Sequence, residues 1–214
     1  MAEVDTEIIE RPAFDAANEG SLRTQTYAWL LREVVPRGRT MLDLGAGPCV
    51  FAKRAVQAGY VVTAVDGRTE RVPDDLDTDA ITFVQQDVRE HPAGDYDVVS
   101  ILGLLYHLEL QDQIALLRRH RRSTVVLDTQ VHIPEAVTEH AGDWAARVVE
   151  TDGYQGVHFP EGDNPMASIG NPSSFWHTEP SLLRMCEEAG FSSCTVVDPY
   201  YVSKYGARRF SVLR

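Results

Sequence analysis

The residues best spaced to do chemistry lie in Leu42-Asp43-Leu44-Gly45-Ala46-Gly47-Pro48, where an apolar run meets a D-x-G-x-G turn. A second apolar run, Val61 to Val65, ends in Asp66 and Gly67. Glycines let a backbone turn tightly and approach a bound molecule, and an acid closing the next run can accept both hydroxyls of a ribose. Gly45, Ala46, Gly47, Asp66 and Gly67 therefore imply a cofactor that contains adenosine. A dinucleotide would require a third glycine where Val50 stands. Asp43, two residues before Gly45, has no task at a dinucleotide site and suits a cofactor with a cationic amino-acid end.

Two further runs extend the pattern: Ile81 to Val88, which carries Asp87, and Tyr96 to Gly103. In order and spacing, LDLGAG at 42–47, VDGR at 65–68, QQDVRE at 85–90 and DYDVVSILGLLYHLE at 95–109 resemble the class I S-adenosylmethionine-dependent methyltransferases. The resemblance implies an α/β fold, Rossmann-like and doubly wound. Its sheet would be mostly parallel and seven-stranded, with an antiparallel C-terminal hairpin and an insert after strand five. It also implies that Gly45 to Gly47 face the methionine and ribose of S-adenosylmethionine, and that Asp66 takes the ribose diol. Asp87 and Val88 would meet the adenine, and Leu102 and Gly103 would line the methionine end.

Methyl transfer from a sulfonium is an in-line displacement, and holding the nucleophile in place can supply on the order of 7–11 kcal/mol. A base helps only when the acceptor is a hydroxyl or another weakly acidic group. His107, just past the fourth strand, is expected beside the methyl position as that base; the alternatives are that it fixes the local turn or touches only the cofactor. His132, four residues past Asp128, is the second candidate, with Asp128 able to orient it. Tyr106, Trp176 and His177 are expected to contact substrate, His177 having packing at a helix entry as its alternative. Asp128, His132, His158 and His177 lack tight ligand spacing, so no metal is expected.

These groups need elements to hold them. Residues 1–37 read as an N-terminal arm and helix, with 1–20 loose and polar and Tyr27, Leu30, Leu31 and Val34 at helical spacing. Residues 38–130 alternate strands and helices as the cofactor-binding core, although Gly67 to Asp79 is too short and acidic for the usual helix. A helix from about Gln111 to His120 ends in Arg118 to Arg122, cations that suit its last carbonyls. Residues 131–178 break the alternation with four histidines, two tryptophans and the turns Gly162-Asp163 and Asn164-Pro165. Because ligands bind beyond the carboxyl ends of such strands, this insert reads as a substrate cover. Residues 179–214 supply the last helix, capped by Thr178 and Gly190, and the closing hairpin. All of it reads as a single domain.

The 214 residues carry 32 acids against 20 bases, a net charge of −12 that disfavours nucleic acid and anionic membranes. The segments at 102–109 and 174–191 resemble both wobble-uridine transfer-RNA methyltransferases and small enzymes that methylate sugars and natural products. Charge favours the second group, hence a small-molecule or saccharide acceptor methylated at a hydroxyl oxygen. The alternatives are an RNA methyltransferase and a cofactor-binding protein without transfer activity. Cys49, Cys186 and Cys194 form no spaced framework, no apolar signal or membrane span is evident, and a cytoplasmic location is expected.

Overall fold

A computed structural model describes residues 4–162 and 169–214. The central sheet is built from β1 (Asp5–Glu10), β2 (Thr40–Leu44), β3 (Val61–Asp66), β4 (Ile81–Gln85), β5 (Val98–Leu102), β6 (Thr124–Gln130), β10 (Ser193–Asp198), β11 (Tyr201–Val202) and β12 (Ala207–Leu213). Its order is β1-β10-β12-β6-β5-β2-β3-β4, with β11 paired to β12. Strands β2 to β6 pair in parallel, and β12 runs antiparallel to both β6 and β10. The strand order reverses beside β2, so the crevice beyond its carboxyl end is where a ligand binds in such sheets.

Sequence explains the layering. Every residue of β5, Val-Val-Ser-Ile-Leu, is buried, as a parallel strand covered on both faces requires. Its one hydroxyl, Ser100, shares a 2.8 Å hydrogen bond with the buried Tyr27 hydroxyl. Side chains alternate between the two cores. Leu42, Leu44, Val99 and Ile101 face α3 (Leu110–His120) and α4 (Glu179–Ala189), where Leu116, Leu117, Met185 and Cys186 meet them. Met41, Val62, Ala64 and Val98 face α1 (Glu19–Glu33) and α2 (Val50–Gln57), where Ala52 and Ala55 let the short α2 sit close. Asn18 caps α1 by accepting from the Ser21 N–H at 2.9 Å. Gly190, at φ 102°, ends α4 in the left-handed conformation that glycine tolerates.

The expected seven strands are β2, β3, β4, β5, β6, β10 and β12, and three features differ from the sequence reading. Residues 5–10, expected as a loose arm, form β1 and add in parallel to β10, with Ile8 opposite Val196. The run expected to continue to Val88 stops at Gln85, because Asp87 turns back to accept from the Arg89 N–H at 2.9 Å. The cover has a fold of its own, an antiparallel sheet of β7 (Val149–Thr151), β8 (Tyr154–Pro160) and β9 (Ser173–His177). The Asn164-Pro165 turn and Asp163 lie outside the described residues. Between β3 and β4 no helix forms, as the acid-rich segment suggested. The three cysteines are free and buried, and among the described residues no helix is long and apolar enough to cross a membrane.

Candidate active site

The turn after β2 is fixed by its own backbone conformation and hydrogen bonds. Gly45 and Gly47 take φ of 73° and 50°, and Cys49 is held at 55° at the start of α2. The Gly45 and Ala46 N–H groups donate to the Val65 carbonyl at 2.8 and 3.1 Å, tying the turn to β3. Asp66 accepts from the Gly47 N–H at 2.8 Å through one oxygen and from the Arg68 N–H at 2.9 Å through the other. Each carboxylate oxygen keeps a second lone pair, enough for a diol. Asp87 is gripped by the Arg89 guanidinium at 2.6 to 3.0 Å, and that contact holds its carboxyl below the usual carboxylate range.

These groups line a cavity of about 110 Å³ that includes Gly45, Gly47, Asp66, Gly67, Asp87 and Val88. Ile169 of the cover roofs it, so close to Gly67 that a Cβ there would stand 2.4 Å from the Ile169 Cδ1. Glycine is the residue that fits. Asp43 lies elsewhere: it is buried under the glycine turn and lines neither this cavity nor the larger one. Burial, then the charge of Asp66, push its carboxyl up to about 7, and Oδ2 has no hydrogen-bond partner among the described residues.

A second cavity, about 460 Å³, shares Gly45, Gly47, Arg71, Gly103 and His107 with the first and adds Ala46 and Leu102. Its far wall is aromatic. Phe159 stacks on Trp176 at 4.6 Å and 12°, and Tyr106 meets Trp176 edge-on at 5.7 Å. The Trp176 indole N–H donates to the Tyr106 carbonyl at 3.0 Å, which fixes cover against core.

His107 stands where the two cavities join. Its Nδ1 lies 3.0 and 3.1 Å from the two carboxylate oxygens of Glu161, whose side chain is 1% exposed. Asn171 donates to the His107 carbonyl at 3.1 Å, so a second cover residue holds the same turn. Sequence reasoning missed Glu161. It closes the aromatic strand β8, but no local spacing links it to His107.

Asp128, expected beside His132, serves other partners. Its Oδ2 accepts from Arg23 Nε and NH2 at 2.8 and 2.6 Å and from Arg208 at 2.7 Å, while Oδ1 accepts from the Tyr201 hydroxyl at 2.5 Å. Burial would raise its pKa, but Arg208 and Arg23 hold it below the ordinary value. Arg23, Tyr201 and Arg208 also escaped the sequence reading. Their one signal was an Arg208-Arg209 pair inside an otherwise apolar strand.

His132 and His177 do not reach the large cavity. His132 donates its backbone N–H to the His177 carbonyl at 2.8 Å and borders a space of about 10 Å³, too small for an acceptor, behind Trp176 and Tyr205. His177 is buried between β9 and α4, with Nδ1 3.0 Å from the Ser181 hydroxyl, and burial pushes it down to about 3. Among the candidates, therefore, His107, Tyr106 and Trp176 share a cavity wall with the glycine turn, and His132 and His177 do not. Arg119 donates to the Val88 and His91 carbonyls, and Arg121 to that of Arg118, so these members of the basic run serve carbonyls.

Residues 42–125 match the model of a family described as a methyltransferase domain. No curated protein sequence matches the chain. Among solved structures, the N-terminal domain of EvdMO1 with SAH bound has a TM-score of 0.69 at 22% identity, covering 93% of this chain and 82% of that one. The same domain in the presence of SAH and D-fucose gives 0.71 at 22% identity, with 95% and 89% covered. The 1,6-didemethyltoxoflavin-N1-methyltransferase of Burkholderia thailandensis, with bound 1,6-didemethyltoxoflavin and S-adenosylhomocysteine, gives 0.59 at 18% identity over 89% and 77%. An S-adenosylmethionine dependent methyltransferase from Mesorhizobium loti gives 0.60 at 16% identity over 87% and 98%. At these identities the shared property is the fold.

Proposed function

We propose that this chain is a class I S-adenosylmethionine-dependent methyltransferase and that it methylates a hydroxyl oxygen of a small molecule or saccharide. One observation carries the reading: His107, backed by a buried carboxylate, borders both the nucleoside cavity and the aromatic one. Hydroxyl acceptors need their proton removed, and imidazole titrates near working pH.

S-adenosylmethionine supplies an electrophilic methyl group on sulfur. Asp66 and the glycine turn hold its nucleoside. His107, with Nδ1–H donated to Glu161, presents Nε2 to the acceptor hydroxyl and takes its proton as the oxygen attacks. Glu161 stabilises the imidazolium that results. Tyr106, Phe159 and Trp176 give the acceptor an apolar wall and exclude water. A volume of about 460 Å³ suits a small acceptor. The EvdMO1 domain was solved with D-fucose and the Burkholderia enzyme with a small heterocycle, which supports that size class for this chain. A net charge of −12 argues against a nucleic-acid acceptor, and three free thiols fit the cytoplasm.

The test is methyl-labelled cofactor supplied with a panel of hydroxylated small molecules and sugars. Label recovered as a methyl ether supports the proposal. Label found only on nitrogen, only in RNA, or not transferred at all defeats it.

A further inference from the structure

The large cavity is positively charged in a strongly negative protein. Four cations, Arg23, Arg71, Lys204 and Arg208, line it with one acid, Glu19; Asp128 lies buried beneath as a second. Four positive charges against two negative ones leave a surplus of two, whereas the chain as a whole carries −12. Arg208 is only 4% exposed and has an Nε with no hydrogen-bond partner among the described residues. Its guanidinium sits 5.0 Å over the Tyr106 ring, so cation and aromatic wall meet at one place. Lys204 lies 5.0 Å over Tyr205 on the same wall and is exposed. Arg23 and Arg208 share the buried Asp128, and Arg208 also reaches Glu19 at 3.3 Å, so the surplus is that of the exposed Arg71 and Lys204. S-adenosylmethionine adds a further net positive charge, so its binding enlarges the surplus.

Resting on the acceptor reading above, we propose that the acceptor is a ring compound bearing an anionic group, a carboxylate or phosphate. Its ring lies on the aromatic wall and its charge faces Arg23, Lys204 and Arg208. Cationic side chains attract either anion, and the apolar ring surfaces suit a sugar or aromatic ring.

Calorimetry on the full chain saturated with S-adenosylhomocysteine tests this directly. The probes are glucuronate and glucose 6-phosphate against glucose, and 4-hydroxybenzoate against 4-hydroxybenzamide. At least one anion should bind about tenfold more tightly than its neutral twin, the range expected for a hydrogen bond to a charged group. The preference should shrink in Lys204→Gln and at high salt. Neutral twins binding as well, or no anion binding at millimolar concentration, overturns the inference while leaving hydroxyl methylation standing. If Lys204→Gln weakens S-adenosylhomocysteine instead of the anion, the charge serves the cofactor's own carboxylate and the inference falls. A wild-type chain that does not bind S-adenosylhomocysteine overturns the proposed function as well.

Discussion

Nδ1 of His107 and the carboxylate of Glu161 lie within 3.1 Å of each other although 54 residues separate them in the chain. His107 belongs to the turn after β5, Glu161 to the end of a cover strand, so the pair exists only once the cover has docked. His107→Ala should cut turnover by about 10²–10⁴-fold with cofactor affinity little changed. Glu161→Gln should lower kcat more than it alters KM, and Glu161→Asp should restore part of the loss. Near-normal turnover in both the alanine and glutamine variants would remove the base from this site.

Asp66 ties down the glycine turn through the Gly47 N–H and is the residue proposed to hold the ribose diol. Asp66→Ala should weaken S-adenosylhomocysteine about ten- to a hundredfold, since hydrogen bonds to a charged group are worth about 1.5–3 kcal/mol. Part of that loss comes from releasing the Gly47 N–H. Unchanged affinity by calorimetry in a folded variant is the outcome that excludes the assignment.

Asp128 is shared by two guanidiniums, those of Arg23 and Arg208. Asp128→Asn should destabilise the fold by about 3–5 kcal/mol, because it leaves buried cations without their counter-charge. Urea denaturation reads this, and a loss below about 1 kcal/mol contradicts it.

Stability should fall on mild acidification. Burial pushes His177 down to about 3; burial, then Arg119 and His91, push His120 down to about 4, against an ordinary 6.5. Between those values and 6.5 the unfolded chain binds two protons that the folded chain refuses. Asp43, raised to about 7, acts oppositely, binding one proton only when folded. His91 and His132, both lowered chiefly by burial, act in the same direction as His120 and His177, so the balance is at least about one proton, a slope of at least about 1.4 kcal/mol per pH unit, with stability rising toward neutrality. His177→Gln should flatten the slope and Asp43→Asn should steepen it. Urea midpoints that do not move between about pH 7 and about pH 5 would refute the assignment.

With a net charge of −12, the chain should show no submicromolar, salt-sensitive binding to transfer RNA near physiological salt. A gel shift checks this, and a positive result moves the acceptor to RNA.

The cavity around the glycine turn was legible because its residues are local. Gly45, Gly47, Asp66, Asp87 and Gly103 each close or follow a strand whose apolar run marks it. The ion-paired groups around the large cavity were not. Glu161, Arg23 and Arg208 reach their partners from three separate segments, and no periodicity encodes such pairings. His132 and His177 misled for the same reason: both lie in or beside the insert, and only the register of β8 against β9 shows that His177 turns inward while Trp176 faces the large cavity. The first residues misled differently. β1 is exposed along most of its length, so its sequence lacks the apolar alternation that marks a strand, and pairing with β10 alone makes it one.

That pairing has a consequence for biosynthesis. β1 leaves the ribosome long before its hydrogen-bonding partner, residues 193–198. Until those residues emerge, β1 has an unsatisfied backbone edge, and Arg208 likewise joins Arg23 on Asp128 only late. Two segments far apart in sequence are thereby made conditional on each other. A nascent chain stalled before β10 holds the whole glycine turn and still lacks the strand that pairs with β1.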